Sequence, residues 1–197
     1  MIFFSAPAFA ENATLINWEY AQALYEKNCL ACHGKEGNSA APNFPKLADQ
    51  NPNYLRKELL DYQKKIRDNP IMTPIAQKLS ENDIHLLIAY IGSFHISNGG
   101  VDPKLLNRGQ KIYRAGDPKL QIPACAACHG SVGEGNDEAI YPALAGQNTF
   151  YITQQLSSFA QHNRTNDPKK IMQTISELLP LEDREAVASF INGLKDQ

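Results

Sequence analysis

The fold of this chain is decided by the stretch Cys125-Ala126-Ala127-Cys128-His129-Gly130, because the chain contains it twice. The earlier copy, 96 residues before it, reads Cys29-Leu30-Ala31-Cys32-His33-Gly34. Farther along, Pro45-Lys46-Leu47-Ala48-Asp49-Gln50 returns as Pro142-Ala143-Leu144-Ala145-Gly146-Gln147 with an offset of 97. Small drifts in the offset indicate loop insertions between fixed elements. The chain is therefore predicted to contain two homologous domains of about 100 residues each.

The repeated motif, C-x-x-C-H, is the attachment signal for c-type haem. The two thiols add across the vinyl groups of the porphyrin, and the adjacent histidine then lies on one face of the macrocycle, where its imidazole reaches the iron. The chain has 4 cysteines, and all of them belong to the two motifs. The sequence therefore predicts two covalently bound haem c groups, held by Cys29, Cys32 and His33 and by Cys125, Cys128 and His129.

Other uses of the cysteines fit the pattern less well. A zinc site would need the two pairs to converge on one metal, but each pair belongs to its own repeat. A thioredoxin-like redox pair favours a βαβ setting, whereas this sequence reads as helical. An even number of cysteines in an exported protein would also suit disulfides, but the spacing within each motif favours haem.

Two methionines are predicted to supply the sixth iron ligand. Apart from Met1, the chain contains only Met72 and Met172, which follow His33 and His129 by 39 and 43 residues. A methionine is usually a core residue, but two in register with none elsewhere favour ligation. Thioether sulfur favours reduced iron and raises the reduction potential. It also leaves no open coordination position for a substrate or a gas.

Residues near the ligands suggest further contacts. Pro45 and Pro142 follow the histidines by 12 and 13 residues, on loops whose carbonyl groups are candidates to accept the second imidazole N–H. They are equally well explained as turn residues. Arg67 and Arg164 are candidates for the haem propionates, with ordinary exposed arginines as the alternative. The other histidines do not recur between the repeats and are predicted to face solvent: His85, His95 and His162.

The coarse secondary structure is all-α. The first helix of each repeat is predicted at 17–27 and 103–114, and a middle helix at 53–65 and 149–161. A closing helix begins at Ser80, with a capping-box pattern, and its partner begins at Pro180. The boundary between the domains is predicted at Ser97-Asn98-Gly99-Gly100, a turn-rich run, which gives domains at 11–97 and 98–197.

Residues 1–10 are predicted to be the remnant of a secretion signal, since Ala8 and Ala10 form the small-residue pattern of a signal-peptidase site. The alternative is a disordered apolar N-terminus. A signal predicts an exported protein, and one that is peripheral to a membrane at most, because no stretch approaches the ~18 apolar residues of a span. The formal net charge of -2 gives no reason to expect nucleic-acid binding.

The residues quoted above resemble the dihaem cytochrome c4 family, as do Tyr141-Pro142-Ala143-Leu144-Ala145-Gly146-Gln147, Arg164-Thr165-Asn166-Asp167 and Met72-Thr73-Pro74-Ile75-Ala76. The resemblance spans essentially the whole chain after residue 10. It implies two class I cytochrome c domains, pseudo-twofold related, each enclosing one haem. It also implies axial ligand pairs of His33 with Met72 and of His129 with Met172.

The same resemblance implies a periplasmic electron carrier, not an enzyme, that passes electrons from a quinol-oxidising complex to a terminal oxidase. Two alternatives remain: a dihaem subunit of a flavocytochrome sulfide dehydrogenase, and a haem catalyst such as a peroxidase or a thiosulfate dehydrogenase. The family often has oppositely charged halves, but here residues 1–97 carry 9 Lys and Arg against 10 Asp and Glu, and the rest carry 10 against 11. Ala21 also replaces the glycine that stands at Gly109 in the second repeat.

Overall fold

The computed structural model describes residues 17–97 and 99–194, and the regular secondary structure of these residues is helical apart from two isolated antiparallel bridges. The helices are α1 (Trp18–Asn28), α2 (Leu30–His33), α3 (Pro52–Gln63), α4 (Met72–Ala76), α5 (Glu81–Ile91), α6 (Leu106–Ala115), α7 (Ala126–His129), α8 (Thr149–Ala160), α9 (Ile171–Leu178) and α10 (Leu181–Asn192). The all-α prediction is confirmed. The predicted signal remnant, 1–10, lies outside the described residues.

Local sequence explains where the closing and opening helices begin. Ser80 forms the predicted capping box with Asp83, whose backbone N–H donates to the serine hydroxyl at 3.1 Å. The C-terminal closing helix begins one residue later than predicted, because Pro180 is extended and acts as its N-cap. The helix predicted at 103–114 begins only at Leu106, since Asp102 accepts the N–H of Lys104 at 2.8 Å and holds the chain in a turn.

In each half the first and the last helix pack against each other, α1 on α5 and α6 on α10. The middle helix closes the other side: α3 packs on α4 and α5, and α8 packs on α9 and α10. Each half has its own apolar cluster. The N-terminal cluster includes Tyr25, Leu55, Ile84, Leu87, Ile91 and Phe94. The C-terminal cluster includes Ile112, Tyr113, Leu156, Val187, Phe190 and Ile191.

One tyrosine in each half ties the first helix to the haem motif. The Tyr25 hydroxyl donates to the Gly34 carbonyl at 2.7 Å, and the Tyr113 hydroxyl donates to the Gly130 carbonyl at 2.7 Å. Both glycines have a positive φ, +78° and +81°, with an extended ψ, a conformation that a side chain would strain. The motif therefore has the same anchor in both halves.

The halves face each other through equivalent residues. The side-chain amide of Asn51 donates to the Tyr141 carbonyl at 2.8 Å, and that of Asn148 donates to the Phe44 carbonyl at 2.8 Å. These pairs exchange when the two repeats are interchanged, which is the pattern of an isologous, twofold interface. The pseudo-twofold arrangement is thus confirmed. No helix within the described ranges is long and apolar enough to span a bilayer.

Candidate functional site

The histidine of each motif is buried and bonded in the same way. His33 ends α2 and is 4% exposed, and His129 ends α7 and is 8% exposed. The Nδ1 atoms lie 2.9 Å from the Pro45 carbonyl and 3.0 Å from the Pro142 carbonyl. A carbonyl oxygen can only accept, so Nδ1 carries the proton in both rings. The hypothesis that the proline carbonyls fix the histidines is confirmed.

Both imidazoles are held neutral. Burial lowers the pKa of His33 and of His129, and the hydrogen bond to the carbonyl offsets only part of that effect. With Nδ1–H committed to a carbonyl, the remaining lone pair is on Nε2. A neutral imidazole with one fixed N–H and one free lone pair is the form that binds a metal.

The four cysteines are free thiols, each half-buried. Burial, together with the neighbouring Cys32, raises the pKa of Cys29 to about 12, and burial raises the pKa of Cys125 to about 11. A reactive thiol-redox pair has the opposite property, a lowered pKa with a stable thiolate. Cys29 and Cys125 also pack against separate apolar clusters, so the two pairs do not converge on one site. The separation of the two pairs argues against a shared zinc and agrees with one covalently attached porphyrin in each half.

The two methionines occupy equivalent helices but different surroundings. Met72 begins α4 and Met172 is the second residue of α9, and both are half-buried. Met172 packs against the same apolar cluster as Cys125, whereas Met72 is not among the residues that pack against the N-terminal cluster with Cys29. In the C-terminal half, a cysteine of the haem motif and the predicted methionine ligand therefore pack against the same apolar cluster. In the N-terminal half, only the cysteine packs against the cluster.

Sequence reasoning missed a pair of glutamines beside the histidines. Gln147 accepts the Lys46 N–H at 2.8 Å and donates to the Lys46 carbonyl at 2.9 Å. In the same manner, Gln50 accepts the Ala143 N–H at 2.8 Å and donates to the Ala143 carbonyl at 2.9 Å. Each glutamine therefore bonds across the interface to the residue after Pro45 or Pro142, the prolines whose carbonyls accept from the histidines. Their recurrence in register was visible in the repeat, but their contacts were not.

Arg67 and Arg164 are buried, so the exposed alternative for them is wrong. They meet at the interface between the halves around one carboxylate. Glu58 lies 2.6 Å from the Nη1 atom of Arg67 and 3.2 Å from the Nη2 atom of Arg164. Gln155 accepts from both guanidinium groups, at 2.7 and 2.9 Å, and Asn166 donates to Glu58 at 3.0 Å. The arginines therefore join the two halves by hydrogen bonds within the protein.

Glu58 is ionised in this cluster. Burial by itself raises its pKa, but the positive charges of Arg164, Arg67 and Lys57 more than compensate and hold the pKa of Glu58 at about 2. The two repeats differ at this point, because Gln155 stands where Glu58 stands in the first. The remaining histidines are exposed, as predicted: His85, His95 and His162.

Comparison with known proteins agrees with this geometry. Residues 17–91 match the family described as cytochrome c oxidase, cbb3-type, subunit III, and residues 106–195 match the cytochrome c family. Cytochrome c4 of Pseudomonas aeruginosa is 42% identical over 167 residues, covering 84% of this chain and 83% of that protein. A protein of Stutzerimonas stutzeri named thiosulfate dehydrogenase electron acceptor is 34% identical, covering 82% of this chain and 76% of that protein.

Among solved structures, reduced recombinant cytochrome c4 from Pseudomonas stutzeri superposes with a TM-score of 0.86 at 40% identity. The superposition covers 91% of this chain and 99% of that one. Two cytochrome c domains, the covalent-haem motif in each, and this degree of identity over most of the chain are consistent with one another. The chain therefore belongs to the cytochrome c4 family of electron-transfer cytochromes.

Proposed function

We propose that the chain is an electron carrier with two haem c groups, one in each of the domains 11–97 and 98–197. The observation that carries the proposal is the duplicated histidine site: a buried, neutral imidazole whose Nδ1–H is fixed by a proline carbonyl, directly after the two cysteines of the motif. When bound, each haem would take up and release one electron at its iron. His33 with Met72 and His129 with Met172 are the proposed axial ligands.

The protein residues would act by holding the iron in one coordination state. Pro45 and Pro142 fix the tautomer and the orientation of the imidazoles. The thioether of each methionine would fill the sixth position and favour the reduced state. A site closed on both faces has little reorganisation to make when an electron arrives, which suits transfer better than catalysis.

The proposal extends to the cellular compartment and the redox partners. We propose a periplasmic carrier that receives electrons from a quinol-oxidising complex and delivers them to a terminal oxidase. Attachment of haem c to both motifs would require export, which agrees with the signal remnant proposed at 1–10. Contacts with the partners should be small and transient, as they usually are in electron transfer.

A second candidate partner follows from the relative named thiosulfate dehydrogenase electron acceptor. A carrier of this architecture could take electrons from a sulfur-oxidising enzyme, whereas co-purification with a flavoprotein would instead support the flavocytochrome-subunit alternative. Reduction of the oxidised protein by purified thiosulfate dehydrogenase with thiosulfate would support this donor. Reduction only by a quinol-oxidising complex would support the first.

The first experiment is an absorption spectrum of protein matured in an export-competent host. It is recorded on the oxidised protein, on the reduced protein and on the reduced protein under carbon monoxide. We expect two covalent haems per chain, a weak sulfur-to-iron band in the oxidised state, and no response to carbon monoxide. A carbon monoxide shift in the unaltered protein would mean an open iron and would favour the enzyme alternative.

Single variants then assign the ligands. Met72→Ala and Met172→Ala should each lose about half of the sulfur-to-iron band and allow carbon monoxide to bind one haem. Ile75→Ala and Ile175→Ala, which shorten a neighbouring apolar side chain three residues along the same helix, are the controls and should leave the band intact. A methionine variant that keeps the full band would remove that residue from the ligand set.

A further inference from the structure

The interface glutamines are bonded to the same peptide units as the histidines. The carbonyl of the Pro45–Lys46 peptide accepts from His33 Nδ1–H at 2.9 Å, and the N–H of that peptide donates to Gln147 at 2.8 Å. In the other half, the carbonyl of the Pro142–Ala143 peptide accepts from His129, and its N–H donates to Gln50. A single amide group therefore lies between each histidine and a glutamine of the opposite half.

The direction of these bonds is unambiguous. A backbone N–H can only donate and a backbone carbonyl can only accept, so the oxygen and nitrogen of each glutamine amide are assigned by their partners. Gln147 is 5% exposed and Lys46 is 7% exposed, so the Gln147 bonds are shielded from water, and Gln50 and Ala143 are half-buried. Each glutamine oxygen also accepts the N–H of the residue after it, Asn51 or Asn148, which fixes the side chain further.

Such a chain of hydrogen bonds is cooperative. An amide whose N–H donates to an acceptor has a more negative carbonyl oxygen, and that oxygen then accepts more strongly from the imidazole. A stronger bond at Nδ1–H makes the imidazole a more basic ligand, which stabilises the oxidised iron. The effect of each glutamine should thus reach the iron in the half to which the glutamine does not belong.

We infer that Gln147 tunes the reduction potential of the haem bound by His33, and that Gln50 tunes the potential of the haem bound by His129. This inference rests on the proposed histidine ligands. The glutamines are positioning residues that act through the peptide and the imidazole. Because the link crosses the interface, each haem senses whether the two halves are docked.

The experiment measures the two potentials separately in the holoprotein, by an NMR redox titration in which the methyl signals of each haem are assigned. Gln147→Leu should raise the potential of the His33 haem by about 28 mV, which is a threefold change in its redox equilibrium at ~59 mV per tenfold change. The potential of the His129 haem should stay unchanged. Gln50→Leu should produce the mirror-image result.

Matched controls separate this effect from general loosening of the interface. Asn148→Leu and Asn51→Leu remove cross-interface bonds of 2.8 Å one residue away, from carbonyls that do not accept from a histidine. Neither asparagine caps its helix with its side chain. These variants should shift neither potential selectively, and the exchange of His33 Nδ1–H with solvent should accelerate in Gln147→Leu but not in Asn148→Leu.

Two outcomes would overturn the inference. One is that Gln147→Leu shifts the reduction potentials of both haems equally, or shifts only the potential of the haem in the same half as Gln147. The other is an equal shift in Asn148→Leu. If Gln147→Leu does not fold, Gln147→Asn keeps an amide that is too short to span the interface and should give the same crossed shift. A parent protein without histidine-ligated haem would instead refute the proposed function, and its own spectrum shows this before any variant is made.

Discussion

The two halves build the same histidine site but reach their methionines through different loops. In the N-terminal half, the Asn69 side chain accepts the N–H groups of Ile71 and Met72 at 2.9 and 3.0 Å, so a short loop leads directly into α4. The C-terminal half has three more residues between Asn166 and Met172. There Asn166 donates to Glu58 across the interface and does not cap the next helix.

The longer loop contains a strained backbone. Lys169 and Lys170 both have a left-handed φ, +57° and +58°, directly before α9. Residues other than glycine adopt this conformation at a cost of roughly 1–2 kcal/mol each. An insertion is thus accommodated by backbone strain before the helix, while the methionine keeps its position near the start of that helix.

The halves also differ in charge at their interface. Glu58 on α3 is the carboxylate that faces Arg67 and Arg164, while the equivalent side chain on α8 is the neutral Gln155. Two guanidinium groups therefore share Glu58 in a buried setting. Breaking a buried ion pair by removing one partner is strongly destabilising, because the other charge stays buried.

The largest effect is expected from replacing Glu58 by glutamine, which makes the two halves alike and removes the buried carboxylate. Glu58→Gln should lower the free energy of unfolding at neutral pH by about 3 kcal/mol, measured by denaturant unfolding of the holoprotein. Gln155→Glu, the reverse change on the equivalent helix, gives the guanidinium groups a second carboxylate. It should be neutral or stabilise the protein by about 1 kcal/mol. Equal losses in both variants would contradict the charge argument.

The same carboxylate should give the protein a stability component that depends on pH. The pKa of Glu58 is about 2 in the folded protein against an ordinary value of 4.5. Its contribution is complete above the unfolded pKa and is lost as the pH falls through the folded pKa. Unfolding measured between pH 4.5 and pH 2 should therefore show a loss of about 3 kcal/mol that is absent in Glu58→Gln. Identical pH profiles for the two proteins would show that Glu58 is not the group responsible.

A smaller effect should distinguish the two helix crossings. Ala21 on α1 is fully buried against α5, so the N-terminal crossing already accepts a methyl group. At Gly109 on α6, an added Cβ would meet the Ala186 carbonyl oxygen of α10. Gly109→Ala should lower the stability of the C-terminal half by about 1–3 kcal/mol, measured by thermal unfolding. Ala21→Gly should lower the free energy of unfolding by about 1 kcal/mol or less. An unchanged stability in Gly109→Ala would contradict the close approach of α6 and α10 at this residue.

The smallest expected effect concerns the strained loop. Lys170→Gly should stabilise the C-terminal half by about 0.5–1 kcal/mol, because glycine adopts the left-handed conformation without strain. Lys104→Gly, at an exposed lysine without a left-handed φ, is the matched control and should give no gain. Chemical unfolding followed through the haem absorbance measures both variants. A stabilised Lys104→Gly, or a destabilised Lys170→Gly, would contradict the strain argument.

The sequence by itself determined the duplication, the all-α class and the chemistry expected at the two motifs. Cys29, Cys32 and His33 are close in the chain, so their spacing alone indicates covalent haem, and the second copy places the same chemistry at Cys125, Cys128 and His129. Local signals also predicted the capping box at Ser80. Interactions of this kind span only a few residues, and a pattern of residue types is enough to define them.

Only the tertiary structure decided what joins the halves. The bonds from Gln50 and Gln147, and the cluster of Glu58 with Arg67 and Arg164, connect residues that are distant in the chain. Whether a charged side chain is buried, and which partner it meets, depends on the packing of whole helices, so the arginines could not be placed from their neighbours in sequence. The contacts that link one histidine site to the other half arise only when the two repeats dock.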